Sequence, residues 1–367
     1  MDLNRQIVVA KIGSSSITGD DGTIDETAIA KFCREVAGLR GAGHRVVMVT
    51  SGAIAAGLPA MHFDVRPRDA VTLQAVSAVG QSRLMAVYDR ELAGHGLTAG
   101  QVLLAPLDFM VREQYLHARS TLGRLLDLGV VPVVNENDAI ADDEIRFGDN
   151  DRLAALVAHL IRADLLVLLT DAPGLLTADP RFDASASLIE EILEIDHSLE
   201  ALAGGAGSDR GSGGMASKLA AAKIAAWSGV RAVIAQASRD DVLAHAVARE
   251  AGVGTVVQPR KDRLPARKLW IAFAVGAAGT VVVDDGARRA LLERGVSLLP
   301  AGVVEVKGGF DADAPVEIAG RDGQVFAKGL CRYDAAGLRA ALGARTIDLP
   351  EGAPHEVVHR DDLVVLP

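Results

Sequence analysis

Ile7-Val8-Val9-Ala10-Lys11-Ile12-Gly13-Ser14-Ser15-Ser16 is the stretch on which the fold turns. A strand-length apolar run ends in a lysine, and a glycine and three serines follow at once. Leu165-Leu166-Val167-Leu168-Leu169-Thr170 has the same form, apolar at every position until a closing threonine. Strands that are continuously apolar, rather than alternating, are covered on both faces, as central parallel strands are. Working outward, further strand patterns fall at 45–50, 100–104, 130–135, 230–235 and 254–257. Helical patterns lie between them at 25–40, 72–92, 115–128, 152–162, 215–227 and 240–249. This alternation predicts an α/β fold, a three-layer sandwich around a mostly parallel sheet.

The pattern breaks at Gln258–Arg267, where two prolines and four cations occur within ten residues. That composition suits a linker. Beyond it, short strands at 280–283, 303–307, 315–319 and 325–329 are separated by Gly and Asp turns. Short helices are expected at 286–293 and 334–341, and the whole reads as a small β-barrel-like domain. The expected division is 1–258, a linker over 259–272, and 273–367. The 367 residues are 49% hydrophobic, enough apolar material for sizeable cores, which excludes a disordered chain. The net charge of −10 disfavours a general nucleic-acid binder. Two distant cysteines, Cys33 and Cys331, exclude a CxxC zinc or redox site and a disulfide framework. No leader pattern and no run of about 20 apolar residues occurs, so the expectation is a soluble cytoplasmic protein with no membrane partner.

Four segments at expected strand ends carry chemistry, since ligands of open α/β sheets bind there. Lys11-Ile12-Gly13-Ser14-Ser15-Ser16 offers backbone N–H groups, hydroxyls and a compact cation to an anion, though it also suits an ordinary polar turn. Thr50-Ser51-Gly52-Ala53 opens a run of small residues, as a helix start facing a ligand or a plain serine cap would. Asn135-Glu136-Asn137-Asp138 and Gly148-Asp149-Asn150-Asp151 bracket one loop. Their spacing is not that of a calcium loop, and they favour a polar small-molecule pocket. Gly204 to Lys218 is a Gly/Ser loop running into a helix with a lysine in its first turn, an arrangement suited to phosphate. It is not a Walker A loop. Two strand-end lysines, two anion-binding loops and an acidic pocket together point to phosphoryl transfer. No GxSxG elbow appears, and none of the nine histidines makes a nucleophile pair.

Lys11-Ile-Gly-Ser-Ser, Val49-Thr-Ser-Gly-Ala-Ile-Ala-Ala-Gly57, Val79-Gly-Gln-Ser82, Val134-Asn-Glu-Asn-Asp138, Gly148-Asp-Asn-Asp151, Leu169-Thr-Asp171 and Gly213-Gly-Met-Ala-Ser-Lys218, in this order, resemble the bacterial glutamate 5-kinases. In that family an amino-acid-kinase domain precedes a PUA domain, and the resemblance covers essentially the whole chain. It implies transfer of the ATP γ-phosphoryl group to the side-chain carboxylate of L-glutamate, the first step of proline biosynthesis. By motif, Lys11 and Lys218 would stabilise the transferring phosphoryl group, and Asp151 would hold both lysines. Ser51, Asp138 and Asn150 would bind glutamate, with Asn135 and Asp149 beside them. Thr170, Asp171 and the run Ser212, Gly213, Gly214, Met215, Ala216, Ser217 and Lys218 would hold ATP. Mg²⁺ would bridge ATP phosphates with few protein ligands, and no dedicated metal residue is expected. Serine stands at 14, 212 and 217, where the family commonly has threonine; the hydroxyl is kept.

The resemblance also implies a homo-oligomer, a dimer or tetramer, and feedback inhibition by proline. PUA domains occur in RNA-modifying enzymes. From Trp270 to Pro367, however, ten Lys and Arg face fourteen Asp and Glu, against the basic face that RNA binding calls for. Two alternatives stay open: another amino-acid or carbamate-type kinase, and an RNA-binding protein with a vestigial kinase domain.

Overall fold

A computed structural model of the chain describes residues 5–19, 22–63, 65–105, 107–140, 150–183, 185–204, 214–274 and 276–366. It divides into two units, 1–263 and 264–367.

The first unit holds strands β1 (Ile7–Ile12), β2 (Arg45–Val49), β3 (Ala99–Leu104), β4 (Val131–Glu136), β5 (Leu165–Thr170), β6 (Glu191–Ile192), β7 (Arg231–Gln236) and β8 (Thr255–Val257). Its helices are α1 (Glu26–Gly41), α2 (Ala53–Gly57), α3 (Ala70–Ala93), α4 (Leu107–Met110), α5 (Arg112–Asp127), α6 (Asn150–Leu160), α7 (His197–Ala203), α8 (Met215–Trp227) and α9 (Val242–Ala248). The sheet order is β3-β4-β2-β1-β5-β7-β8-β6. β1 lies parallel between β2 and β5, and only the β7–β8 pairing is antiparallel. β5 is buried at all six positions, as its unbroken apolar run requires.

Period-two alternation sorts the strand side chains between two helical layers. Val8, Ala10 and Ile12 join Val46, Met48, Leu165 and Val167 in one core with Phe32 of α1, Leu84 of α3 and Leu243 of α9. Lys11 falls between Ala10 and Ile12 and so projects to the other face, where α6 packs on α8. α2 and α3 approach unusually closely. A Cβ on Gly57 would lie 2.1 Å from the Val76 carbonyl oxygen, and one on Gly80 would lie 1.7 Å from that of Ala53. These two glycines are therefore needed for packing, and the small residues after Ser51 serve this contact.

The second unit contains α10 (Ala266–Leu269), β9 (Gly279–Val283), α11 (Asp285–Arg294), β10 (Val303–Gly308), β11 (Ala314–Ala319), β12 (Val325–Cys331), α12 (Ala335–Ala340) and β13 (Leu363–Val365). Its five-stranded sheet runs β10-β9-β11-β12-β13, with β9 and β11 parallel and the other pairs antiparallel. The core includes Val281, Leu291, Ile318, Phe326 and Leu338. The units divide after Arg263, within the segment expected as linker. Residues 266–274 are helical and fall in the second unit. No helix among the described residues is long and apolar enough to cross a membrane.

His159, in the last turn of α6, is buried at 8% exposure. Burial, then the charges of Arg263, Arg162 and Arg119, pushes its pKa down from 6.5 to about 4. Between those values the unfolded chain binds a proton that the native chain does not. Stability should therefore fall by on the order of 3 kcal/mol as pH drops from about 6.5 to 4. Urea midpoints measured at pH 7.5 and pH 5 should diverge in the wild type and converge in His159→Leu.

Candidate active site

The carboxyl ends of β1, β2, β4 and β5 and the starts of α6 and α8 meet around one carboxylate. Asp151, in the first turn of α6, has no exposed surface, yet it is an acid. It stays ionised through two buried amines. Lys11 Nζ lies 2.5 Å from its Oδ1, and Lys218 Nζ lies 3.2 Å from its Oδ2. Burial alone would raise the carboxyl pKa. The charges of Lys11 and Lys218, with their hydrogen bonds, outweigh that and hold it below the ordinary value of 3.8. The Ser217 hydroxyl is a further donor to Oδ2, at 3.0 Å. Two buried amines on one carboxylate gather positive charge where an anion could be held.

A second constellation lies around Asn150. Its Nδ2, with two N–H donors, lies within reach of three acceptors: the Thr50 carbonyl at 2.8 Å, Ser51 Oγ at 2.9 Å and Asn135 Oδ1 at 2.8 Å. This joins the ends of β2 and β4 to the start of α6. Asn150 Oδ1 and Asn135 Nδ2 are buried and have no hydrogen-bond partner among the described residues. One acceptor and one donor left unmade each cost about 1–3 kcal/mol, which a polar ligand can recover. Nearby, Ser77 Oγ of α3 donates to Asp138 Oδ2 at 2.7 Å and aims that carboxylate.

α8 starts at Met215 after Gly214, which has no side chain to cap it. A helix start of this kind can present N–H groups to an anion, beside Lys218. The Ser217 hydroxyl is 2.8 Å from the Gly214 carbonyl. Gly214 and Met215 are half-buried, and Ala216 is exposed. Thr170 is buried at the end of β5, and its hydroxyl donates to Asp171 Oδ1 at 3.0 Å. A cavity of about 570 Å³ opens beside this strand end, lined by Ser15, Ser16, Thr170, Asp171, Lys31 and Ser238 among others.

Lys11, Lys218 and Asp151 are thus in direct contact, and so are Ser51, Asn135 and Asn150; Asp138 sits with Ser77. Asp149, Ser212 and Gly213 lie outside the described residues. Reading the sequence segment by segment missed Thr50, Ser77 and Tyr88 as supports. Tyr88 is fully buried on α3 with its hydroxyl 2.7 Å from Thr50 Oγ1, behind the carbonyl that holds Asn150. Its signal was faint: one of three tyrosines, set in an apolar helix face. Among the described residues no group of three or more His, Cys, Asp or Glu could hold a metal ion.

The amino acid kinase family pattern matches residues 6–236, and the PUA domain pattern matches residues 279–352. A glutamate 5-kinase of Pelobacter propionicus is 44% identical, covering 100% of this chain and 99% of its own length. One of Burkholderia orbicola is 46% identical, covering 98% and 97%. Among solved structures, carbamate kinase from Giardia lamblia bound to AMP-PNP has a TM-score of 0.50 at 16% identity, over 70% of this chain and 99% of its own, and supports the fold. With a family pattern over most of the first unit and full-length relatives of one kind, this chain belongs to the amino acid kinase family, among its glutamate 5-kinases.

Proposed function

We propose that the chain phosphorylates the side-chain carboxylate of L-glutamate with ATP, giving L-glutamyl 5-phosphate and ADP, and that the site residues divide the work as follows. The observation that carries this is the buried Lys11–Asp151–Lys218 contact at the carboxyl ends of the strands. Glutamate's α-groups take up the unpaired amide atoms of Asn135 and Asn150, with Ser51 and Asp138 beside them; Asp149 is a further candidate. Its side-chain carboxylate is already ionised at neutral pH, so no general base is required. The obstacle is bringing an anion to a polyanion. The start of α8, the Gly13–Ser16 turn and the two lysines offset that repulsion. A carboxylate oxygen forms the new bond to Pγ. The bond from Pγ to the bridging oxygen breaks, and ADP leaves with that electron pair. Lys11 and Lys218 hold the charge that spreads over the transferring group, and Asp151 keeps their amines apart and aimed. Thr170, Asp171 and the 212–218 segment hold the nucleotide.

Both Asp151 oxygens are engaged by lysines, so Asp151 does not fit a metal-ligand role. Mg²⁺ instead fits as a companion of the ATP phosphates, where it would neutralise phosphate charge. Proline inhibition, a homo-oligomeric state and a cytoplasmic location are further parts of this reading, supported by the resemblance to full-length relatives. RNA is left out because the second unit is acidic overall.

The test is ATP- and Mg²⁺-dependent acyl phosphate formation, trapped as hydroxamate, with glutamate, aspartate and N-acetylglutamate, each with and without proline. Product with glutamate alone, suppressed by proline, is expected. Product with another acid would keep the fold and overturn the substrate. In the same assay Asn150→Ala should raise the glutamate KM at least tenfold and leave the ATP KM nearly unchanged, since its partners are Thr50, Ser51 and Asn135, away from the 212–218 segment and Thr170. Equal effects on both constants would move Asn150 out of the glutamate site.

A further inference from the structure

The starts of β1 and β2 and the end of α1 lie at the sheet edge opposite the catalytic one. A cavity of about 390 Å³ opens there, lined among the described residues by Arg5, Arg40, His44 and Arg45 with Gln6, Ile7 and Gly43, none of them acidic. In a chain of net charge −10, three arginines around one opening are a costly local excess.

Nearby neutralisation is partial. Arg45 pairs with Asp127 at 2.7 Å, through side chains about half exposed, so that pair is weak. Asp164 accepts from the Ile7 backbone N–H at 2.7 Å. Arg40 is held in place rather than neutralised. Its two terminal nitrogens donate to the carbonyls of His44 and Gly129, at 3.2 and 3.1 Å, and its Nε is buried with no partner among the described residues. Burial lowers the Arg40 pKa, and the charge of Arg45 adds a smaller push the same way. Arg5 has no acidic partner among the described residues, and its side chain lies along Gly43. A Cβ on Gly43 would sit 3.4 Å from Arg5 Nε. The φ of +90° at Gly43 permits this turn. His44 is buried, and its Nδ1 accepts from the Gln6 N–H at 3.2 Å. The neutral ring therefore carries its proton on Nε2, as a donor.

We propose that this cavity binds a small phosphate-bearing dianion, held by Arg5, Arg40 and the His44 ring. Two guanidinium charges with no carboxylate partner among the described residues match a dianion, and a monocarboxylate would leave one of them unbalanced. Forked N–H donors suit tetrahedral phosphate oxygens. The volume admits a phosphate with a small organic substituent. The site is separate from the catalytic edge and uses none of its residues.

The test is calorimetric titration of the full-length protein with inorganic phosphate at pH 8 and constant ionic strength. Saturating AMP-PNP, with equimolar Mg²⁺, keeps the nucleotide site filled. Saturable binding is expected, weakened roughly tenfold in Arg5→Gln. Arg5 is exposed and outside every core, so that variant folds. Arg45→Gln, the second variant, should weaken binding less. Absence of saturable heat in the wild type, or unchanged affinity in Arg5→Gln, would overturn the proposal. Equal affinity for malonate would overturn the phosphate class.

Discussion

Lys218→Ala is expected to lower kcat by roughly a thousandfold while the protein stays folded. Both halves follow from the geometry. Lys218 is 4% exposed in the first turn of α8, so no water or other side chain takes over its charge at the phosphoryl group. Folding survives because Asp151 keeps Lys11 at 2.5 Å, so no carboxylate is left buried and alone. Alanine also favours the helix. KM values should move far less than kcat, since the charge to be stabilised is greatest in the transition state. Steady-state kinetics and circular dichroism together check this. Near-normal turnover in a folded variant would remove Lys218 from the chemistry. Lys218→Arg should restore little, because a planar fork does not reproduce a compact ammonium.

Asp151→Asn should be worse for stability than for any single binding constant. It leaves the Lys11 and Lys218 amines, 2% and 4% exposed, without their counter-charge. Breaking a buried pair in this way costs about 3–5 kcal/mol, and this carboxylate serves two partners. Turnover should also fall by roughly two orders of magnitude or more, as both amines lose their aim. The pH dependence has a definite sign. Asp151's native pKa is held below 3.8, so its stabilisation is full above that value and lost as pH falls through the depressed native one. The stability gap between wild type and variant should thus be widest near neutral pH and narrow in acid. Denaturant melts at pH 3 and 7 would show this; a gap that does not change with pH would mean that Asp151 acts by shape rather than charge.

Much of the fold was legible because the determining signals are local. An unbroken run as short as 165–169 reads as a strand covered on both faces rather than a helix, and Thr170 marks its end. The short strands Glu191–Ile192 and Leu363–Val365 were not legible, being two and three residues long and held by neighbours distant in sequence. Nor was the antiparallel direction of β8, which periodicity does not encode.

The site divides in the same way. Residue types and their order along the chain marked the segments that hold Lys11, Asp151 and Lys218 and suggested phosphoryl transfer, while the roles of the three residues came from the family resemblance. Which atoms meet was decided only by tertiary structure. Nothing in the spacing of 11, 151 and 218 says that both amines reach opposite oxygens of one carboxylate. That follows from alternation along β1, which sends Lys11 to the face shared by α6 and α8. Likewise Ser77 and Tyr88 became supports of Asp138 and Thr50 only when Gly57 and Gly80 let α2 and α3 close on each other. Sequence by itself determined the elements and the chemistry available at their ends, since those depend on neighbours along the chain. Long-range packing decided the charge balance of the site, since that depends on pairs 67 and 140 positions apart.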